Sequence, residues 1–214
     1  MILNAKKAVL FAAHTDDEMV CAGTLHRLAK AGCEVHVVAF TSAATFEDRA
    51  GLYHAPQVLE EFYESMRRIG VKRQHAEFYG ISPSSQVHTR GQDVADFAFK
   101  YIEEHKPDLA FILSPEDENP AHAEVGRQCE RVMRGRVPTV LRCNFPWNYG
   151  IGRPAVYVSL SEEDLRVKRD VIRAYKSQHF RYEYENLLMS QAVADGLSVK
   201  VPAAERFELV RSVL

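Results

Sequence analysis

The sequence predicts an α/β fold, Rossmann-like, with a mostly parallel sheet and helices on both faces, and three observations predict it. Apolar runs of strand length recur at residues 8–13, 34–40 and 109–113. Segments with apolar residues at helical spacing alternate with them, which implies right-handed strand–helix–strand crossovers. Ionisable side chains collect where strands run into helices, above all in His14-Thr15-Asp16-Asp17-Glu18. In open α/β sheets, ligands bind outside the carboxyl ends of the strands, so this cluster lies where a site is expected.

The elements follow in order. Residues 8–13 have the length and composition of a buried parallel strand. Residues 19–31 read as a helix with Leu25 and Leu28 on its inner face. A second buried strand covers 34–40, and a polar, irregular loop is expected over about 43–56. Leu59, Phe62, Met66 and Ile69 mark a helix over 57–69, stopped by Gly70. A third strand is expected at 76–80, a helix at 92–105 ended by Lys106-Pro107, and a fourth strand at 109–113. That strand feeds the polar run Ser114 to His122, and a helix continues over 123–134.

Beyond Val137 the rhythm changes. Strands are expected at 139–142 and 155–158, separated by Phe145-Pro146-Trp147-Asn148-Tyr149-Gly150. Ser161 opens a helix to about residue 176 with Glu162, Glu163 and Asp164 in its first turn. A further helix is expected at 182–194, and the end, 204–210, reads as short and extended. No repeat, low-complexity tract or linker interrupts the chain, so a single domain over 1–214, closed by a C-terminal strand and helix extension, is the simplest organisation.

Bulk properties narrow the function. With 214 residues, 46% hydrophobic and 26% charged, the chain can bury a real core. A net charge of −2 and the lack of a Lys/Arg run argue against nucleic acid as a partner. No apolar run is long enough for a membrane span, and residues 1–7 lack a signal-peptide stretch, so a cytoplasmic location is expected. Cys21, Cys33, Cys129 and Cys143 form no CxxC pair and read as reduced, buried thiols rather than zinc ligands.

The chemistry lies in two loops. A structural turn could use one Asp as a cap, but an imidazole and three carboxylates within five positions repel unless a cation sits among them. Strands one and four each feed an acidic loop carrying a histidine, and in a parallel sheet both loops emerge at one edge. His14, Asp16, Asp17 and His122 can therefore converge. Two histidines and one Asp leave a tetrahedral zinc with one open position, which is the catalytic arrangement. Asp16 and Asp17 are adjacent and cannot point the same way. One is expected as ligand and the other as general base, and spacing alone leaves open which is which.

These residues resemble a known family. His14-Thr15-Asp16-Asp17-Glu18 resembles the HPDDE motif of the PIG-L/LmbE-like zinc N-deacetylases, which act on N-acetylglucosaminyl substrates. Asn119-Pro120-Ala121-His122 partly matches the family's HPDH motif. Tyr175-Lys176-Ser177-Gln178 and the closing stretch from Ala204 to Val210 are similar to later family features. The resemblance implies His14, Asp17 and His122 as zinc ligands, Asp16 as general base, and zinc as cofactor, with Fe²⁺ the alternative for the same donors. It also makes a homo-oligomer an expectation.

Three positions depart from the motifs. Thr15 replaces a Pro, a change expected to alter the loop's stiffness but not its chemistry. Asn119 stands where the family has a His that stabilises the oxyanion or protonates the leaving group. An amide donates a hydrogen bond but carries no proton, and losing one oxyanion donor outright typically costs about 10²–10³ in rate. Ala121 replaces an Asp behind the ligand histidine, a loss typically worth about 10–100-fold; Asp117 or Glu118 could supply that carboxylate instead. His179, next to the Ser-Gln pair, is the candidate stand-in for the proton donor.

Arg90 and, in the loop before residue 150, Trp147 and Asn148 are candidate sugar contacts, the indole by its face and the amide by its donor and acceptor. His26 and His36 read as structural; His54, His75 and His105 read as surface residues. The expected activity is zinc-dependent removal of an acetyl group from an N-acetylated amino sugar or its conjugate. The alternatives are a zinc amidase for another small amide and a catalytically weakened sugar-binding relative. A nucleotide-binding module is disfavoured, because Asp16, Asp17 and Glu18 would repel a pyrophosphate where such modules carry glycines.

Overall fold

A computed structural model describes residues 4–43, 55–81, 84–148, 153–179 and 183–213. The expected polar loop falls almost wholly outside these residues, as do His54, Tyr149 and Gly150. Among the described residues, seven strands form one sheet: β1 (Lys7–Ala12), β2 (Glu34–Thr41), β3 (Ala76–Ile81), β4 (Leu109–Ile112), β5 (Thr139–Cys143), β6 (Pro154–Ser159) and β7 (Ala204–Ser212). Six α-helices accompany them there: α1 (Ala22–Lys30), α2 (Ala55–Ile69), α3 (Gly91–His105), α4 (Pro120–Met133), α5 (Glu162–Ala174) and α6 (Tyr184–Ser198).

The strand order is β3-β2-β1-β4-β5-β7-β6. Strands β1 to β5 pair in parallel, and only β7 runs against its neighbours. From β1 the chain builds outward to β2 and β3, then returns to lay β4 and β5 on the other side of β1. With right-handed crossovers, that reversal puts α1 and α2 on one face and α3 and α4 on the other. The packing agrees: α5 joins α1 and α2, while α3 packs on α4. The carboxyl ends of β1 and β4 therefore splay apart at the reversal point, which opens a crevice there.

Strand β1 is the centre of the core, with Leu10, Phe11 and Ala12 fully buried between the two helix layers. Phe40 of β2 stacks on Phe11 at 6.2 Å between ring centroids. Two elements differ from the sequence expectation. The end of the chain is not short: β7 spans nine residues and lies between β5 and β6. The helix predicted over 19–31 is broken, with a 3₁₀ turn at Asp17–Val20 and α1 beginning only at Ala22. All four cysteines are free and buried.

Candidate metal centre

The turn after β1 is shaped by its own carboxylates. The backbone N–H of His14 donates to Asp17 Oδ2 at 2.8 Å. That contact bends the chain and leaves Asp17 Oδ1 turned toward the loop after β4. There α4 begins with Asn119 as N-cap, its Oδ1 accepting from the Ala121 N–H at 3.0 Å, and with Pro120 in the first helical turn. Gly126 lets this helix sit flush on the end of β4, since a Cβ there would lie 2.4 Å from the Leu113 carbonyl oxygen. The close approach aims His122, in the first turn of α4, back at the β1 turn.

Three ligand atoms meet at this point. His122 Nε2 lies 3.1 Å from Asp17 Oδ1 and 3.1 Å from His14 Nδ1, and His14 Nδ1 lies 3.6 Å from Asp17 Oδ1. A tetrahedral cation with bonds of about 2.0–2.1 Å separates its ligands by about 3.3–3.4 Å, so the triangle is near cation size. Only the His14 side chain keeps appreciable exposure, 14%, against 4% for Asp17 and 3% for His122, so the triangle opens on the His14 side. The donor set of two imidazoles and a carboxylate, with one side open, fits a catalytic divalent cation.

The electrostatics agree with that fit. Burial alone would raise the Asp17 pKa, but the charge on His122 and hydrogen bonds from His122 and His14 hold it well below the usual carboxylate range. Burial alone would lower His122, but Asp17 and Asp117 push it up to about 10. Positive charge is thus strongly favoured at this spot, as a proton or as a metal.

Asp117 is the carboxylate behind His122, in place of the one missing at Ala121. Its Oδ2 lies 3.1 Å from His122 Nδ1 and accepts from Asn148 Nδ2 at 2.8 Å. Its Oδ1 accepts from the Asn119 N–H at 2.8 Å and from Trp147 Nε1 at 3.4 Å. With Nδ1–H directed at a carboxylate, a neutral His122 has its Nε2 lone pair free to meet a cation. Glu118, the other candidate, is exposed.

The expectation placed Asn148 against a sugar. Its side chain is buried, with Nδ2 donating to Asp117 behind His122. Trp147 stacks on Phe145 at 4.6 Å and lies 6.2 Å from the His122 ring, half-buried beside the centre. Asp16 is buried in the same turn, and its charge acts on Glu18 and on the Tyr175 hydroxyl. The contacts of the other two candidates lie with other residues. Arg90 is exposed and paired with Asp93 at 2.6 Å, and the exposed His179 has Nε2 at 3.4 Å from the Ile172 carbonyl oxygen.

A second set of residues, mostly missed in the sequence, holds the turn. Lys168 Nζ donates to the carbonyls of Met19 and Val20 at 2.7 and 2.8 Å and to Glu205 Oε1 at 2.7 Å. Glu205 in turn accepts from the N–H groups of Gly23 and Thr24 at 3.0 and 2.7 Å. In a continuous helix those two carbonyls would bond those two N–H groups. The buried Lys–Glu pair is inserted into the ladder, which is why the predicted helix breaks. The signal was present: Lys168 is a charge on the apolar stripe of Val167, Val171 and Ile172.

The Tyr175-Lys176-Ser177-Gln178 segment serves the same turn. The Tyr175 hydroxyl donates to the Thr15 carbonyl and to Glu18 Oε1, and Ser65 donates to the same oxygen. Burial pushes Glu18 up to about 8, against the pull of those two hydrogen bonds. Ser177 bonds Glu61 through its N–H and its hydroxyl. Thr15 also has a partner: its hydroxyl accepts from the Ala43 N–H at 3.1 Å, tying the segment after β2 to the turn.

The fold and site together define an α/β protein with a candidate divalent-cation site at the carboxyl edge of a parallel sheet. The family model described as PIG-L, GlcNAc-PI de-N-acetylase, matches residues 9–133, which include both loops of the centre. The chain belongs to this family. Among solved structures it is similar to the conserved protein TT1542 from Thermus thermophilus, at 18% identity and TM-score 0.82, over 97% of this chain and 96% of that one. It is similar to GalB, the 4-carboxy-2-hydroxymuconate hydratase from Pseudomonas putida, at 17% identity and TM-score 0.82, over 98% of each chain. It is also similar to N,N'-diacetylchitobiose deacetylase from Pyrococcus horikoshii, at 21% identity and TM-score 0.72, over 97% of this chain and 84% of that one. No curated protein matches the chain.

Proposed function

We propose that this protein is a divalent-metal-dependent N-deacetylase that releases acetate from an N-acetylated amino sugar or its conjugate. The observation that carries the proposal is the buried triangle of His14 Nδ1, Asp17 Oδ1 and His122 Nε2, open on one side, in a chain of the de-N-acetylase family. Those three residues would hold the cation, with zinc the best match to the donors and Fe²⁺ the alternative. A cation so held polarises an acyl oxygen and brings the pKa of water to about 7.

The remaining work belongs to the protein. Asp16 takes the proton of the attacking water as the tetrahedral centre forms, and returns it to the nitrogen as the C–N bond breaks. Acetate and a free amine result. Asn119 spends its Oδ1 on the helix cap, which leaves its Nδ2 to donate to the developing oxyanion. Asp117 and Asn148 keep His122 in one tautomer and orientation, and Trp147 offers its exposed portion to the sugar ring.

Among the described residues no helix is long and apolar enough to cross a membrane, and four free thiols suit a reducing compartment, so the proposal includes a cytoplasmic location. It also includes a homo-oligomer, which would cover Leu187, Val193 and Leu197, exposed on α6; light scattering tests that part.

The test is acetate release from N-acetylglucosamine conjugates by zinc-loaded protein, beside the Asp16→Ala variant. Acetate itself must be scored, since a similar fold carries a hydratase. The variant should retain its metal and lose about 10²–10⁴ of the rate, the usual worth of a general base. Undiminished turnover in Asp16→Ala would sink the mechanism.

A further inference from the structure

We propose that Glu34, His36 and His75, with His105 as a fourth donor, form a second divalent-cation site at the edge of the sheet opposite the His14–Asp17–His122 centre. The topology assembles it. Glu34 opens β2 beside Lys7 of β1, His75 immediately precedes β3, and His105 ends α3. All four therefore come from the amino ends of strands or from the carboxyl end of a helix, whose partial negative charge favours a cation. Two of these histidines, 75 and 105, read as separate surface residues in the sequence; the fold brings both against His36.

The donor atoms are already close. One ligand atom each from Glu34, His36 and His75 lies within 4.8 Å of the others. His36 is buried and held from behind: its Nδ1 lies 2.6 Å from the Tyr101 hydroxyl, and its Nε2 lies 2.9 Å from Glu34 Oε1. An imidazole held through one nitrogen by an outer partner, here the Tyr101 hydroxyl on Nδ1, has its other nitrogen oriented for a cation. The His105 ring lies 4.9 Å from His36 and 4.2 Å from Tyr101, between centroids.

The protonation states suit a metal as well. Burial lowers the pKa of His36 and of His75, so both imidazoles are neutral near pH 7 and need shed no proton to bind. Hydrogen bonds from Lys7 and His36 hold Glu34 down at about 2, so its carboxylate is ionised. Three imidazoles and a carboxylate select a late first-row divalent cation, zinc before magnesium or calcium.

Binding demands two small movements. His36 and His75 stand face to face, 4.3 Å apart and within 6° of parallel, and a cation cannot lie in the planes of both. His75 must turn about its Cβ–Cγ bond, which its place on a short, partly exposed turn permits. Lys7, which lies 2.8 Å from Glu34 Oε1, must swing into solvent. The cation then staples β2, the turn before β3 and the end of α3, with four protein donors and no open position. Such a site is structural rather than catalytic.

The experiment is zinc stoichiometry by elemental analysis of zinc-equilibrated, gel-filtered protein. The native chain should hold two equivalents, His75→Ala one, His122→Ala one, and the double variant none. A His75→Ala variant that holds as much zinc as the native chain, or a His122→Ala variant that holds none, would overturn the second site. A His122→Ala variant that holds as much as the native chain would overturn the first centre instead, so the two readings fail separately. His75 is partly exposed, and its variant is expected to fold. Tyr101→Phe gives an independent check, because loss of an outer-shell partner should weaken this site by about 10–100-fold and leave the first centre unaltered. Equal affinities at both sites in native and Tyr101→Phe protein would also count against it.

Discussion

Replacing Asn148 separates its two readings. Its Nδ2 donates to Asp117 Oδ2 at 2.8 Å, with both side chains buried, and Asp117 in turn faces His122 Nδ1 at 3.1 Å. A hydrogen bond to a buried charge is worth about 1.5–3 kcal/mol. At about 1.4 kcal/mol per tenfold, complete transmission to His122 would weaken cation binding by about 10–150-fold. Outer-shell losses at metal sites typically fall at about 10–100-fold, so that is the expected loss for Asn148→Ala. Asn148→Asp should be worse, because it sets a second carboxylate against Asp117. The assay is competition for zinc with a chromophoric chelator, followed by kcat and KM at saturating metal. A sugar contact predicts the reverse: unchanged zinc affinity and a raised KM. That outcome would refute the placement of Asn148 behind His122.

Three further outcomes are expected. Asn119→Asp keeps an oxygen to cap α4 but exchanges the Nδ2 donor for an acceptor; kcat should fall by about 10²–10³ with the melting temperature retained, and a full-rate variant would remove Asn119 from the mechanism. Lys168→Met leaves Glu205 buried without its cation, which should cost about 3–5 kcal/mol in denaturant unfolding; Lys168→Met with Glu205→Leu should recover part of this by letting the helix ladder close, and an additive double variant would contradict the insertion. In chelator-treated protein, burial holds His36 and His75 below their ordinary 6.5, so the folded state binds protons less readily than the unfolded chain. Their contribution is complete above pH 6.5 and is lost as the pH falls below it, so the melting temperature should drop more steeply in native protein than in His75→Gln. Parallel curves would show that His75 plays no part.

Much of the fold was legible because each signal was local. Apolar runs of strand length and helical spacing located six helices and seven strands. Ser161 and Asp164 form the capping box that their spacing predicts. The extent of β7 was not legible. Its outer half, Glu208 to Ser212, is half-exposed and mixed in character, and it pairs with β5, whose partner a linear pattern does not specify. The break at Cys21 escaped for a related reason: the groups that interrupt the ladder lie 148 and more residues away, on α5 and β7.

The candidate site divides in the same manner. His14, Asp16, Asp17 and His122 stood out because clustered charges at strand ends are costly without a function. Asp117 was one of two carboxylates named for support, and only the fold chose it, by burying it against His122 while Glu118 stayed exposed. Asn148 looked like a sugar contact because an amide beside an aromatic suits either role. The fold buries it against the Asp117 carboxylate, which no linear pattern specifies.

The sequence by itself determined the class of the fold, the edge of the sheet that carries the chemistry and the residue types that meet there, since strand period, helix period and charge clustering are properties of neighbours along the chain. Tertiary structure alone decided which carboxylate backs His122, how Lys168 and Glu205 pin the turn, and that His36, His75 and His105 share one corner. Those outcomes depend on which buried polar groups find partners, and burial and partnership arise only when distant segments pack together.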